Sequence, residues 1–180
     1  MNKKVLGFTG LIASGKGTAC EYMSKKYGAE SFRFSTILRD VVDRVYLPQT
    51  RENLQNISQV LRENFSQDIL SKAIAEDVKK AKAEIVVIDG VRRWTDIEHL
   101  KEIPGFKLIS LKVDAKTRYK RLTKRGENTD DTSKTWEEFQ KDSDAEAEVH
   151  IQDMIEKADV IIDNNESLEG YYKQLDKLVS

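Results

Sequence analysis

In the run GFTGLIASGKGT, four residues separate Gly10 from Gly15, and Lys16 follows directly, between an apolar segment and a helical pattern. Bare glycines let successive backbone N–H groups converge on one anion, and a helix that starts there adds its positive end. A lysine at the next position supplies a mobile charge for the outer oxygens of a polyphosphate. The expected cradle is Gly10, Ala13, Ser14, Gly15, Lys16, Gly17 and Thr18. Further on, VVIDGVRRW closes another apolar segment with Asp89, Gly90, Arg92 and Arg93. A carboxylate at a strand end beside a phosphate loop can hold Mg²⁺ through water. An arginine there can grip a phosphate with both arms of its fork.

Three further stretches carry charge in a pattern. Arg118, Arg121 and Arg125 are spaced three and four apart in DAKTRYKRLTKRGENTDD, so they share one helix face. Like charges in a stripe cost stability unless anions meet them. In FSTILRDVVDRVYLPQTRENLQNISQVLRENF, Ser35, Thr36 and Arg39 follow an apolar run, and Arg51 and Arg62 lie on a later helix that Thr50 can cap. Asp163, Asn164 and Asn165 end the last apolar run, where they read as a turn into the final helix. His99, His150 and Cys20 have no metal-ligand spacing, which argues against a zinc site. Trp94 and Trp136 read as packing residues.

The elements that must position these residues alternate in type. Short apolar runs at 5–9, 31–34, 84–89, 106–113 and 159–163 predict strands. Helical periodicity falls at 16–27, 36–46, 51–82 with a break near Phe65, 95–102, 115–125, 135–157 and 167–179. EIVVID and ADVIID are rich in β-branched residues without alternation, as expected of strands buried on both faces. The pattern predicts an α/β fold with a parallel sheet, in which ligands bind beyond the carboxyl ends of the strands.

Composition sets the bounds. The chain has 180 residues, 39% of them hydrophobic and 34% charged, and its formal charge is −1. A near-neutral balance gives no global field toward nucleic acid or membrane. The lone cysteine and the absence of a signal pattern or long apolar stretch predict a cytoplasmic protein.

GKGT at 15–18 resembles the adenylate kinases and, more broadly, the nucleoside monophosphate kinases of the P-loop superfamily. Gly17 stands where a Ser or Thr usually meets Mg²⁺, and the resemblance implies that Thr18 assists the phosphates and the hydrated metal instead. Asp89-Gly90 with Arg92 or Arg93 is similar to the DG-x-x-R run of adenylate kinases. RLTKR at 121–125 is similar to the RL-x-x-R segment that begins their lid, which implies that Arg121 and Arg125 reach the migrating phosphoryl group. The returning side of that lid lacks arginine, leaving Lys134 or Lys141 as substitutes. The comparable helices of monophosphate kinases hold the acceptor through a hydroxyl and arginines, implying Ser35 or Thr36 with Arg39, Arg51, Arg62 and Arg92 here. The fold so implied is the P-loop NTPase three-layer sandwich, an about five-stranded parallel sheet in the order 2-3-1-4-5, in a single domain over 1–180. An acceptor-binding insert at about 35–82 and a short lid at about 121–140 complete it.

The whole is also similar to the dephospho-CoA kinases. Those carry an aspartate four residues before an arginine, where this chain has Ser35 before Arg39. A monophosphate is already an anion and needs positive charge and alignment, whereas an alcohol gains from a nearby carboxylate. The expectation is therefore a monophosphate kinase using ATP or another nucleoside triphosphate with Mg²⁺, its partners small molecules only, as monomer or dimer. Asp40 keeps the alcohol alternative open, and a nucleotide-driven switch is the third.

Overall fold

Each of the five apolar runs forms a strand in the computed structural model, which describes residues 3–125, 132–143 and 146–180. In chain order the elements are β1 (Lys4–Thr9), α1 (Lys16–Tyr27), β2 (Glu30–Arg33), α2 (Phe34–Arg44), α3 (Arg51–Asn64) and α4 (Ile69–Lys80). After them come β3 (Ile85–Val91), a 3₁₀ turn at Trp94–Ile97, β4 (Phe106–Lys112), α5 (Ala115–Arg125), α6 (Trp136–Ser143), α7 (Glu146–Glu156), β5 (Val160–Asp163) and α8 (Leu168–Asp176). The sheet has the order β2-β3-β1-β4-β5, and all its pairings are parallel.

Helices cover both faces of the sheet, which is why its central strands show no polar alternation. Leu6 and Phe8 of β1, Val87 of β3 and Ile109 and Leu111 of β4 pack against α1 and α8 through Ala19, Met23, Tyr171 and Leu175. Their neighbours Val5, Val86, Ile88 and Leu108 pack the other way, against Leu38, Ile74, Val78 and Met154 of α2, α4 and α7. Both sets are buried, and each large side chain so placed contributes about 1.5–3 kcal/mol.

Helix starts and stops follow local chemistry. Thr50 caps α3 by accepting the Asn53 N–H at 3.1 Å. The break expected near Phe65 separates α3 from α4. Three expectations are corrected. Residues 95–102 hold only the 3₁₀ turn, because the Asp96 carboxylate takes the N–H groups of Arg92 and Arg93 and tightens the chain. The helix expected over 135–157 is two, since Phe139 buries beside Tyr119 and Trp136 while Met154 enters the main core. Phe34 opens α2 instead of ending β2, because its ring enters the core shared with Leu38.

Candidate active site

Between β1 and α1 the backbone takes a path that ordinary residues resist. Gly10, Ala13 and Gly15 have φ of 145°, 60° and 100°. At Gly15 a Cβ would also lie 2.6 Å from the Asn164 amide nitrogen, so strain and close approach both require glycine. The loop is held from behind by side chains distant in sequence. Asn164 Nδ2 donates to the Ser14 carbonyl at 2.9 Å, and the Tyr171 hydroxyl donates to the Gly15 carbonyl at 3.1 Å. Arg118, only 4% exposed, donates to the Ile12 carbonyl at 3.3 Å and to the Ser143 hydroxyl at 3.2 Å. Lys16 lies over the loop, its Nζ donating to the Gly10 and Leu11 carbonyls at 2.6 and 3.2 Å. Ser14 Oγ is buried against Gly10 with no hydrogen-bond partner.

Asp89 reaches the mouth of this loop through a bulge. The β1–β3 register shifts between Phe8↔Asp89 and Thr9↔Val91, and Gly90 takes the shift with φ 88°. The carboxylate is nearly buried, and Arg33 donates to its Oδ2 from Nε at 2.8 Å and Nη2 at 2.6 Å. Beneath lies Cys20, whose thiol is pushed up to about 12, first by burial and then by the Asp89 charge. Among the described residues no group of three or more His, Cys, Asp or Glu side chains encloses a metal. Mg²⁺ commonly binds through one or two carboxylates, with water and phosphate oxygens completing its shell. Asp89 suits that role for a metal arriving with a nucleotide.

The remaining expected residues divide by surroundings. Arg92 is exposed just past β3, its N–H held by Asp96 at 2.9 Å. Ser35 sits in the first turn of α2 and Arg39 one turn later, where Nη1 donates to Gln49 at 2.6 Å and Gln49 bonds Asp43. Thr18 is exposed in the first turn of α1. Arg121 Nη2 donates to the Asn164 carbonyl at 2.8 Å, tying α5 to the end of β5, while its buried Nη1 has no partner. The side chains of Arg51 and Arg125, like residues 126–131 of the expected lid, lie outside the described residues.

Arg62 is corrected. Its side chain is 7% exposed and pairs with Asp96 at 2.6 Å, while Nη1 donates to the Gln67 carbonyl, so it braces α3 against the turn after β3 from within the interior. Arg33, Arg118 and Asn164 are the residues that sequence reasoning missed or left aside. For Asn164 the turn reading is incomplete: Asn165 and Asp163 make the turn, whereas Asn164 enters the loop's backing.

A strand, glycine turn and helix at the centre of a 2-3-1-4-5 parallel sheet, with a loop lysine and a carboxylate on the next strand, define the P-loop kinase fold. The AAA domain family AAA_17 matches residues 9–140. A UPF0200 protein of Sulfurisphaera tokodaii is 32% identical over 98% of this chain and 96% of its own length. One of Methanocaldococcus jannaschii is 30% identical over 97% and 88%. The chain belongs to the UPF0200 family and carries an AAA_17 P-loop domain. In fold it is similar to shikimate kinase from Bacteroides thetaiotaomicron, with TM-score 0.64 and 14% identity over 97% of this chain and 96% of that one. It is likewise similar to dephospho-CoA kinase from Campylobacter jejuni, with TM-score 0.59 and 20% identity over 98% and 96%. Among the described residues no helix is long and apolar enough to cross a membrane.

Proposed function

We propose that this chain is a phosphotransferase that moves the γ-phosphoryl group of ATP or another nucleoside triphosphate to a nucleoside or deoxynucleoside monophosphate. The observation that carries this reading is the braced glycine loop with Lys16 and the nearly buried Asp89 at the adjacent ends of β1 and β3, with the exposed Arg92 three residues past Asp89.

In this reading the loop amides of 13–18, Lys16 and the Ser14 hydroxyl hold the β- and γ-phosphates. Asp89 and Thr18 would hold Mg²⁺ through water, and the metal would supply charge neutralisation on the phosphate oxygens. Arg39 and Arg92 orient the acceptor phosphate, and the family resemblance adds Ser35 and Arg51 to that set. The bond from γ-phosphorus to the bridging oxygen breaks as an acceptor phosphate oxygen bonds the phosphorus, and the leaving diphosphate keeps the electron pair. An acceptor that is already an anion needs no general base, which suits a pocket offering arginines. The family resemblance assigns Arg121 and Arg125 to the migrating charge, and exclusion of water from the site would keep hydrolysis from competing.

A screen of ribo- and deoxyribonucleoside monophosphates with Mg·ATP, alongside dephospho-CoA and water alone, tests this. Diphosphate formation from at least one monophosphate, well above hydrolysis, is expected. Faster phosphorylation of dephospho-CoA, or turnover that no acceptor raises above hydrolysis, overturns the reading in favour of an alcohol kinase or a nucleotide-driven switch.

A further inference from the structure

Arg33 is the last residue of β2 and pairs in register with Asp89, so parallel pleating puts both side chains on one face of the sheet. Its guanidinium holds a single carboxylate oxygen from two nitrogens, at 2.8 and 2.6 Å. The two ends of the pair differ in environment: the Asp89 side chain is 8% exposed, the Arg33 side chain 43%. A Cβ on Gly17 would lie 3.6 Å from Arg33 Nη2, so the guanidinium stands against the first turn of α1, beside Lys16. Phe34, the next residue, opens α2, which carries Ser35 and Arg39. The side chain therefore stands beside the phosphate loop, at the strand end from which the helix assigned to the acceptor departs. It also adjoins Gly17, where P-loop proteins usually carry a metal-contacting hydroxyl.

A metal held by Asp89 must share that carboxylate with Arg33. A divalent cation held through water beside that carboxylate brings twice the charge of a guanidinium, and the repulsion between the two cations at this distance favours departure of Arg33. The displaced guanidinium is tethered to an ordered strand and cannot leave the mouth of the loop. Its planar fork matches a phosphate bidentately, which a lysine cannot reproduce.

We propose that Arg33 is the exchangeable counter-cation of Asp89, holding the carboxylate until the metal of a nucleoside triphosphate takes it, and then gripping the acceptor's phosphate. Donor and acceptor binding are thereby coupled through one ion pair, and the coupling is reciprocal. The inference rests on the phosphotransferase reading and adds a residue and an order of events to it.

The two halves of the pair should act with opposite signs, which a structural brace would not do. Mn²⁺ binding in the presence of the non-hydrolysable analogue AMPPNP is read by electron paramagnetic resonance. AMP, GMP, CMP and UMP are titrated separately by calorimetry, with and without that metal complex. Arg33→Met is expected to bind Mn²⁺ about tenfold more tightly and the best of the monophosphates about tenfold more weakly than the wild-type chain. Arg33→Lys keeps the charge without the fork and should fall between. In Asp89→Asn the guanidinium loses the carboxylate's charge without metal, so the metal-free affinity for the same monophosphate should rise toward the metal-loaded wild-type value. Unchanged or weaker Mn²⁺ binding in Arg33→Met overturns the exchange, and unchanged monophosphate affinity overturns the acceptor role. A wild-type chain that binds neither AMPPNP nor any monophosphate sinks the phosphotransferase reading and this inference with it. Nucleotide binding that is the same with and without Arg33 sinks the inference alone.

Discussion

The proposed donor side and the proposed acceptor side are built in opposite ways. Around the phosphate loop, Asn164, Tyr171 and Arg118 arrive from β5, α8 and α5 and bond the loop's carbonyls, so its geometry is fixed by neighbours that are largely buried. On the acceptor side the helices leave Val45, Tyr46, Leu47, Val60 and Phe65 exposed, and Arg39 bonds only other exposed polar groups. Such a contrast matches a triphosphate site that is preorganised and an acceptor site that takes its final form with substrate. The exception on the acceptor side is the buried Arg62–Asp96 pair, which fixes the backbone that presents Arg92.

That exception gives the largest expected effect. Arg62→Ala leaves the Asp96 carboxylate buried without its cation and should cost about 3–5 kcal/mol of stability, read as a lowered urea midpoint. A loss under about 1 kcal/mol would mean that the acceptor side has no rigid anchor, and the contrast would sharpen. Next comes Lys16→Ala, which should lower kcat on the order of a hundredfold or more while circular dichroism shows the fold intact. Near-normal turnover in a folded variant would break the assignment of the donor side. Arg92→Ala should raise KM for the monophosphate by roughly 1.5–3 kcal/mol of lost binding and leave KM for ATP nearly unchanged. If both constants rise together, the two sides are not separate.

Smaller effects test the bracing itself. Asn164→Ala removes one donor from the loop and should weaken AMPPNP binding by about 1 kcal/mol, measured by calorimetry, with little change for the monophosphate. The smallest concerns Asp68, whose half-buried carboxyl is held at about 2, down from its ordinary 3.8, first by the Ser66 hydroxyl and then by His99. A depressed folded pKa stabilises above the unfolded value and loses that contribution as pH falls through the folded one. Urea midpoints should therefore decline between about pH 4 and pH 2, and more shallowly in Asp68→Asn. An identical slope in both would show that this corner of α4 adds nothing to acid sensitivity.

The sequence alone determined the parts that are local. Glycine spacing and a following helix specify a phosphate loop because strain and amide convergence lie within about ten residues, and Gly10, Gly15 and Lys16 are where that reading put them. Thr50 as a helix cap and the break near Phe65 were legible for the same reason. Strands buried on both faces announced a parallel sheet through their unbroken apolar runs, and its order came with the family resemblance. What only tertiary structure decided is how charges pair across long stretches of chain. Arg62 looked like an acceptor ligand until Asp96, 34 residues on, was seen to hold it in the interior. Arg33 carried no signal, since an arginine ending an edge strand reads as a solvated charge; strand register brought it to Asp89, 56 residues away. Asn164 needed 150 residues of intervening fold to reach Ser14. Sequence periodicity encodes which face of an element is buried, whereas an ion pair depends on where two elements meet, and that is set by the packing of the whole core.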